Sequence, residues 1–538
     1  MIRLKTTILS LLATLALATT ALAAGSGATV TPRNNKSTNA TATDIKVQSG
    51  EKWWGLVVDP DNITLPFEMP FTINTSTLAP TLYKANVMLS NRGRYIWSEA
   101  PMVVSFDGKK FTVAAEGKDA VPPKVQKSGR TLREAYLMCC HKNFPPKEVT
   151  VPELLFGSPI YELGGTDALL YGQQDVLAFA DMLIGRGAPS GTILLPMGWN
   201  SPSGTPAFDL EAYPNPKDMV AQLHAKGMKV MLTVTPYVMA AGRGYQQLRK
   251  DGGLICEPSG EPTVFQTGLG YTACREITPQ SAKDINAALH TLQTEVGVDG
   301  FYLDCLDALP LMGNQPDQLE SFLTAWHSVA EGLGAVVIST PSAHPLGEVA
   351  STVTTERLAS WQNLGRSLET AVEASVLGFT RTCIAAGLEF PTCDKGNPGW
   401  NEHLVLRTAQ LAAMLPVAII PYALWSIDDR EAVDALLKWR AEMGPYYLEL
   451  ARQSTTSAEP IVRHLEYQFP RTGFTNSRDQ FMIGDRYLVA PVIDDSSKRM
   501  VRLPKGRWQD QGGRIIKGPR VIDADVSGSK MAIFKAVK

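Results

Sequence analysis

The sequence predicts an α/β fold, a (β/α)8 TIM barrel flanked by an N-terminal β-sandwich and a small C-terminal β domain. Three observations predict it. At 538 residues the chain exceeds the roughly 250–300 residues at which a single core stops growing, so several domains are expected. Over about 290 residues in the middle, helical and strand patterns alternate, the mark of parallel β-α units at a length that suits a closed eight-stranded barrel. On either side, short β-type runs broken by turn residues replace the alternation.

Met1 to Ala23 has Arg3 and Lys5, a small and apolar run from Ile8 to Leu17, and an Ala21-Leu22-Ala23 end. That is the build of a secretory signal cut after Ala23, and it predicts a periplasmic or secreted protein. The apolar run is too short for a comfortable membrane span, and no later stretch reaches about 18 uninterrupted apolar residues. Residues 24–46 are rich in Gly, Ser, Thr and Asn and have little to bury, so they read as a flexible leader, with order beginning near Val47.

Residues 47–152 carry the β runs of the expected sandwich: Trp54 to Val58 before Asp59-Pro60-Asp61, Tyr95 to Trp97, and Met102 to Phe106. Asp107-Gly108 between Phe106 and the run Lys109 to Val113 is a hairpin signal. The pair Trp53-Trp54 reads as core packing.

Residues 153–452 hold the expected barrel. Gln174 to Gly185 has helical spacing and precedes the strand Thr192 to Leu195. Pro216 opens a helix that ends at Lys226-Gly227, with proline in the first turn and glycine past the end, and the strand Lys229 to Val234 follows. Ser281 to Thr294 is amphipathic and precedes Asp299 to Leu303; Gln318 to Glu331 precedes Ala335 to Ser339. Asp428 to Glu431 reads as a helix start, its acids near the positive end of the dipole. Residues 453–538 return to β runs, Phe481 to Ile483, Tyr487 to Ala490 and Val501 to Leu503, and form the expected closing domain; His464 among them reads as structural.

Composition narrows the partners. With 51 Lys and Arg against 53 Asp and Glu the net charge is −2, and removal of Arg3 and Lys5 makes it −4, so nucleic acid is not an expected partner. Seven cysteines in an oxidising compartment suggest bridges, with Cys256 to Cys274 and Cys383 to Cys393 the plausible pairs by separation, although spacing does not prove connectivity. No C-x-x-C or H-E-x-x-H pattern occurs, so neither a zinc site nor any other cofactor is expected. Cys305 lacks an evident base partner and reads as a buried filler.

The chemistry concentrates in Gly297 to Asp307, G-V-D-G-F-Y-L-D-C-L-D. An apolar run, Phe301 to Leu303, delivers Asp304 and then Asp307 where a strand should end, which is where β/α barrels keep their reactive groups. Asp is also a favoured helix N-cap, and Asp304 capping the next helix is the alternative.

Several stretches, taken together and in order, resemble glycoside hydrolase family 31, in the branch of the myogenesis-regulating glycosidase and its bacterial relatives. They are Asn91 to Glu99 (N-R-G-R-Y-I-W-S-E), Phe208 to Met219, Leu223 to Val230, G-V-D-G-F-Y-L-D itself, Arg463 to Pro470 (R-H-L-E-Y-Q-F-P), Asp479 to Val492 and Leu503 to Trp508. The resemblance implies a retaining hydrolase of α-linked glycosides, which uses one carboxyl group to attack the anomeric carbon and another to protonate the leaving oxygen and then activate water. It places Asp304 as nucleophile, with Asp307 in support. In T-E-R-L-A-S-W, Thr355 to Trp361, Glu356 falls where relatives have an acid/base Asp a few residues before a Trp. Trp199, Asp307, Trp361 and Trp425 are the expected substrate-binding residues.

Departures from the family pattern define a second possibility. Pro196-Met197-Gly198-Trp199 stands where relatives hold sugar hydroxyls with acids, Val353-Thr354 where they have an Arg, Ala385-Ala386-Gly387 near another acidic position, and Leu415 to Trp425 is largely apolar. Sites that recognise a ligand through hydrogen bonds depend on such groups for discrimination. The sequence therefore supports an exported retaining α-glycosidase acting on a carbohydrate, or a catalytically impaired relative that serves as a carbohydrate-binding or scaffold protein.

Overall fold

A computed structural model describes residues 42–537 apart from 118–119, 148, 165–170, 201–203, 205, 258, 268–269, 314, 342–345, 348, 355–357 and 391–398. Order begins earlier than the composition suggests. Thr43–Lys46, inside the stretch read as leader, is a strand paired antiparallel with Lys110 to Val113. Ile45 is buried in the pairing, and Lys110 and Thr112 both donate to the Asp44 carboxylate, so three side chains anchor a segment whose composition offers little.

Two four-stranded sheets form the N-terminal domain. One runs Thr43–Lys46, Lys110–Ala115, Met102–Phe106, Phe71–Asn74; the other runs Trp53–Val58, Tyr83–Ser90, Arg94–Trp97, Gln126–Lys127. They face each other through aromatic rings: Trp53 of one sheet lies 5.8 Å, edge-on, from Phe111 of the other. The Asp-Gly hairpin forms as expected. Asp107 Oδ1 accepts from the amides of Lys109 and Lys110, and Gly108 takes φ +92°, which its missing Cβ permits. A helix, Leu132–Asn143, which no β reading anticipates, closes the domain.

The barrel has eight parallel strands in sequence order: Ile160–Glu162, Thr192–Leu195, Lys229–Val234, Gly300–Leu303, Val336–Ile338, Ala350–Thr352, Thr382–Cys383 and Ile419–Ile420. Strand eight pairs back onto strand one. The seam between seven and eight carries a backbone bond from Val417 N–H to Thr382 O, 3.2 Å. Helix starts follow local chemistry. Asn215 caps Pro216–Ala225 by accepting from Asp218 N–H, with Pro216 in the first turn, and Asp429 caps Arg430–Ser457 by accepting from Ala432 N–H. In that last helix Gly444 is required: a Cβ there would stand 2.0 Å from the carbonyl oxygen of Gly157.

Two features break the regular alternation. Between strand three and its helix (Pro279–Thr291), a small three-stranded sheet is inserted, Tyr237–Met239, Gly270–Cys274 and Val264–Thr267, with a short helix Arg243–Asp251 packed on it through Tyr245. Between strands five and six no helix occurs among the described residues. There the N-terminal sandwich supplies the packing: Tyr83 donates to the Thr352 carbonyl at 2.8 Å and lays its ring edge-on to Phe379 at 4.8 Å.

The C-terminal domain is one six-stranded antiparallel sheet built on a long ribbon, Lys498–Asp510 with Ile515–Asp525, around a core that includes Leu465, Met482, Val501, Trp508 and Phe534. His464 joins it to the rest. Its Nδ1 accepts from Glu466 N–H, its ring meets Trp54 edge-on, and burial lowers its pKa to about 3, so it is a neutral structural histidine.

The cysteines do not bridge as their separations suggest. Cys256 and Cys274 are free thiols, because Ile255 and not Cys256 hydrogen-bonds to the Cys274 carbonyl, and each sulfur donates to a carbonyl of its own segment. Cys383 is a buried free thiol that donates to the Ser351 carbonyl; Cys393 lies outside the described residues. Among the described residues no helix is long and apolar enough to cross a membrane, and no three His, Cys, Asp or Glu side chains are grouped to hold a metal.

Candidate active site

The site is assembled at the C-terminal ends of the barrel strands. Strand four's alternation decides where Asp304 points. The Tyr302 hydroxyl accepts from the Ala386 amide beyond strand seven at 3.2 Å, so Tyr302 faces the lumen. Asp304, two residues on, projects to the same side, at the mouth.

Three backbone bonds fix that exit. Asp304 N–H donates to Val234 O of strand three at 2.8 Å, Ser339 N–H of strand five donates to Leu303 O at 2.9 Å, and Cys305 N–H donates to Ser339 Oγ at 3.1 Å. Held from both sides, the carboxylate is 2% exposed, and its Oδ1 accepts from Leu306 N–H at 3.2 Å. The capping alternative is thus partly realised, since that bond turns the chain into the 3₁₀ helix Leu306–Met312, whose N-cap residue is Cys305. Asp307 sits in the first turn of this helix, half-buried.

Of the other expected residues, Glu356 lies outside the described stretch. Trp361 is the first residue of the helix Trp361–Val376, which Ser360 caps by accepting from Asn363 N–H, and is half-buried. Trp199 stands beyond strand two with its indole N–H donating to Thr233 O at 2.7 Å and its ring against Phe208 at 5.0 Å. At 2% exposure it has no free face for a sugar, and its work is to brace strands two and three.

Trp425 is not in the mouth. It packs between sheet and helices, 5.9 Å from Tyr161 and 6.5 Å from Phe179, with the Arg186 guanidinium over its ring. The Tyr161 hydroxyl donates to Pro189 O outside the barrel, which fixes this layer as the outer one. A substrate role for Trp425 is therefore replaced by a packing role.

Two residues that the sequence reading passed over belong to the mouth. Glu162 ends strand one as Asp304 follows strand four, is buried, and accepts from Gly387 N–H at 2.5 Å. Its signal was present: after Gly157-Ser158-Pro159 the short apolar run Ile160-Tyr161 delivers a carboxylate, Glu162, at a strand end. Tyr237, just past strand three, is buried, and the charges of Asp304 and Asp307 act on its hydroxyl.

The barrel and the closing β domain are similar to those of known proteins. Residues 152–331 match the glycosyl hydrolases family 31 TIM-barrel domain, and residues 458–535 match the glycosyl hydrolase family 31 C-terminal domain. The chain is 26% identical over 406 residues to the myogenesis-regulating glycosidase of Mus musculus, covering 71% of this chain and 56% of that one. It is 22% identical over 374 residues to an alpha-glucosidase of Saccharolobus solfataricus, covering 58% and 52%. The chain thus spans about half the length of the curated relatives it matches.

Among solved structures, a GH31 family sulfoquinovosidase from E. rectale aligns with TM-score 0.72 at 15% identity over 92% of this chain and 82% of that one. A GH31 dextranase from Flavobacterium johnsoniae aligns with TM-score 0.71 at 16% identity, over 93% and 67%. The fold is common to all three. With the first part of the barrel and the C-terminal domain both matched by family models, this protein belongs to glycoside hydrolase family 31.

Proposed function

We propose that the protein is an exported, retaining α-glycosidase in which Asp304 attacks the anomeric carbon of an α-linked sugar. Glu356 gives a proton to the leaving oxygen and, with its carboxylate regenerated, takes one from the water that releases the glycosyl-enzyme. The observation that carries this reading is the presentation of Asp304, lumen-facing and buried at the exit of strand four, with the Leu306 amide donating to it. An attacking carboxylate must be held in place and shed its water, and a backbone donor in a closed setting serves both ends. Export is supported by the basic, apolar and Ala-x-Ala order of residues 1–23.

The test is mass spectrometry after incubation with fluorinated or cyclophellitol-type α-glycosyl probes. A covalent adduct on the peptide holding Asp304, absent from Asp304→Asn, is the expected result. The mouth also has apolar residues, Leu163, Ile384, Ala385 and Ala386, which favour the impaired, carbohydrate-binding alternative. No adduct across the panel, with methyl α-glycosides still bound in calorimetry, would establish that alternative instead.

A further inference from the structure

Tyr237 is buried to 3% exposure just beyond barrel strand three, and its hydroxyl has no hydrogen-bond partner among the described residues. Other buried tyrosines of the barrel are satisfied: Tyr161 donates to Pro189 O, Tyr447 to Met414 O, and Tyr302 accepts from Ala386 N–H. A buried hydroxyl without a partner is unfavourable, and phenylalanine would fill the same space without that cost. The ring itself is well held, across the ladder from Cys274 and edge-on to Phe265 at 5.4 Å.

Its neighbours say what the hydroxyl is for. The Asp304 amide bonds to Val234 O, which staples the exits of strands three and four together, and Tyr237 follows three residues after Val234. The charges that most affect its titration are Asp304 and then Asp307, which with burial hold the phenol firmly protonated. A protonated donor therefore stands within electrostatic reach of the proposed nucleophile, its hydroxyl unpartnered among the described residues.

We propose that Tyr237 is a substrate-contacting residue whose hydroxyl donates to the sugar hydroxyl on the carbon next to the anomeric centre, the C2 position. That is the ring hydroxyl nearest a nucleophile that attacks C1, and bonds to it strengthen in the transition state of retaining hydrolysis. The inference rests on Asp304 being the nucleophile.

The experiment compares wild type with Tyr237→Phe on a p-nitrophenyl α-glycoside that the enzyme turns over and on its 2-deoxy counterpart. The expected loss in kcat/KM is about 10- to 100-fold on the parent sugar and less than about twofold on the 2-deoxy sugar, because the variant lacks only the bond the second substrate cannot form. Thermal unfolding should be unchanged or raised in the variant, since an orphaned polar group has been removed. Equal losses on both substrates, or none on either, would overturn the assignment.

Covalent labelling separates the two claims. An Asp304 adduct in both proteins, with no Tyr237 effect on turnover, defeats only this inference. If neither protein is labelled or turns over any substrate, the nucleophile reading fails. Calorimetry with methyl α-glucoside and methyl 2-deoxy-α-glucoside then decides the contact, and equal affinities of wild type and variant for methyl α-glucoside exclude it.

Discussion

The amide of Gly387 donates to the carboxylate of Glu162 at 2.5 Å, tying the end of strand seven to the end of strand one past the two-residue strand eight. Strands seven and eight are too short to align the mouth by ladder bonds alone. The turn Ala385 to Gly387 is instead held from inside the lumen, by Glu162 and by Tyr302.

Glu162→Ala leaves the Gly387 amide without its acceptor and should cost about 1–3 kcal/mol, while Glu162→Gln keeps an acceptor oxygen and should cost less than half as much. Urea unfolding of the three proteins measures this. Equal stability of wild type and Glu162→Ala would show that the turn does not depend on the carboxylate.

Arg440 plays a comparable part on the outer side. Fully buried in the helix Arg430–Ser457, it donates to Phe156 O at 2.9 Å and Pro416 O at 3.0 Å and lies 4.1 Å over the Tyr447 ring. Burial pulls its pKa down to about 10, still well above neutrality, so it is charged at physiological pH. Some buried ion pairs can be exchanged for apolar residues without loss, but that requires replacing both partners. Here the partners are backbone carbonyls and cannot be replaced. Arg440→Met should therefore destabilise by about 3 kcal/mol or more, and Arg440→Lys by less, since a single ammonium reaches fewer of them. Thermal or urea unfolding checks the order; a neutral Arg440→Met would show the carbonyls find other donors.

Where local chemistry decides an element, the sequence was readable. Asp107-Gly108 and Asp429 satisfy their own backbone neighbours and Pro216 fits a first helical turn, so turn, helix-start and proline signals were enough. The place of Asp304 at the exit of strand four was legible from an apolar run ending in a carboxylate. What escaped depends on partners far along the chain. The acceptor role of Glu162 needs Gly387, 225 residues away, and Tyr83 packs on the barrel through Thr352, 269 residues away, where no helix occurs among the described residues. Trp425 was misread because its ring could serve a sugar or the sheet-helix layer equally well, and only Arg186 and Tyr161 decide between them. The Cys256–Cys274 bridge failed by one position of register.

Glu373 offers a test in pH. It lies at 1% exposure on the helix Trp361–Val376, where all three domains meet: Arg478 of the C-terminal domain donates to Leu65 O of the sandwich and to Glu369 of the same helix. Arg478 Nε is 3.5 Å from a Glu373 oxygen, but its hydrogen is committed to Leu65, and neither Glu373 oxygen has a well-formed hydrogen bond among the described residues. Burial first, then the Glu369 charge, push the Glu373 pKa well above the ordinary carboxylate value, with Arg478 and the Leu65 backbone only partly opposing. The sign follows from proton uptake. Below about pH 4.5 both folded and unfolded chains hold this proton, and the group has no effect on stability. Above that, the unfolded chain releases the proton while the folded one keeps it, so this group lowers stability as pH rises, until the folded pKa is passed. Glu373→Gln keeps the shape and cannot ionise. Its unfolding free energy should equal that of wild type near pH 4 and exceed it increasingly toward pH 8, by at most about 1.4 kcal/mol per pH unit. Urea unfolding at several pH values would read the gap directly. A gap that stays constant, or in which wild type becomes the more stable protein as pH rises, would mean Glu373 is ionised and paired with Arg478 in the folded chain.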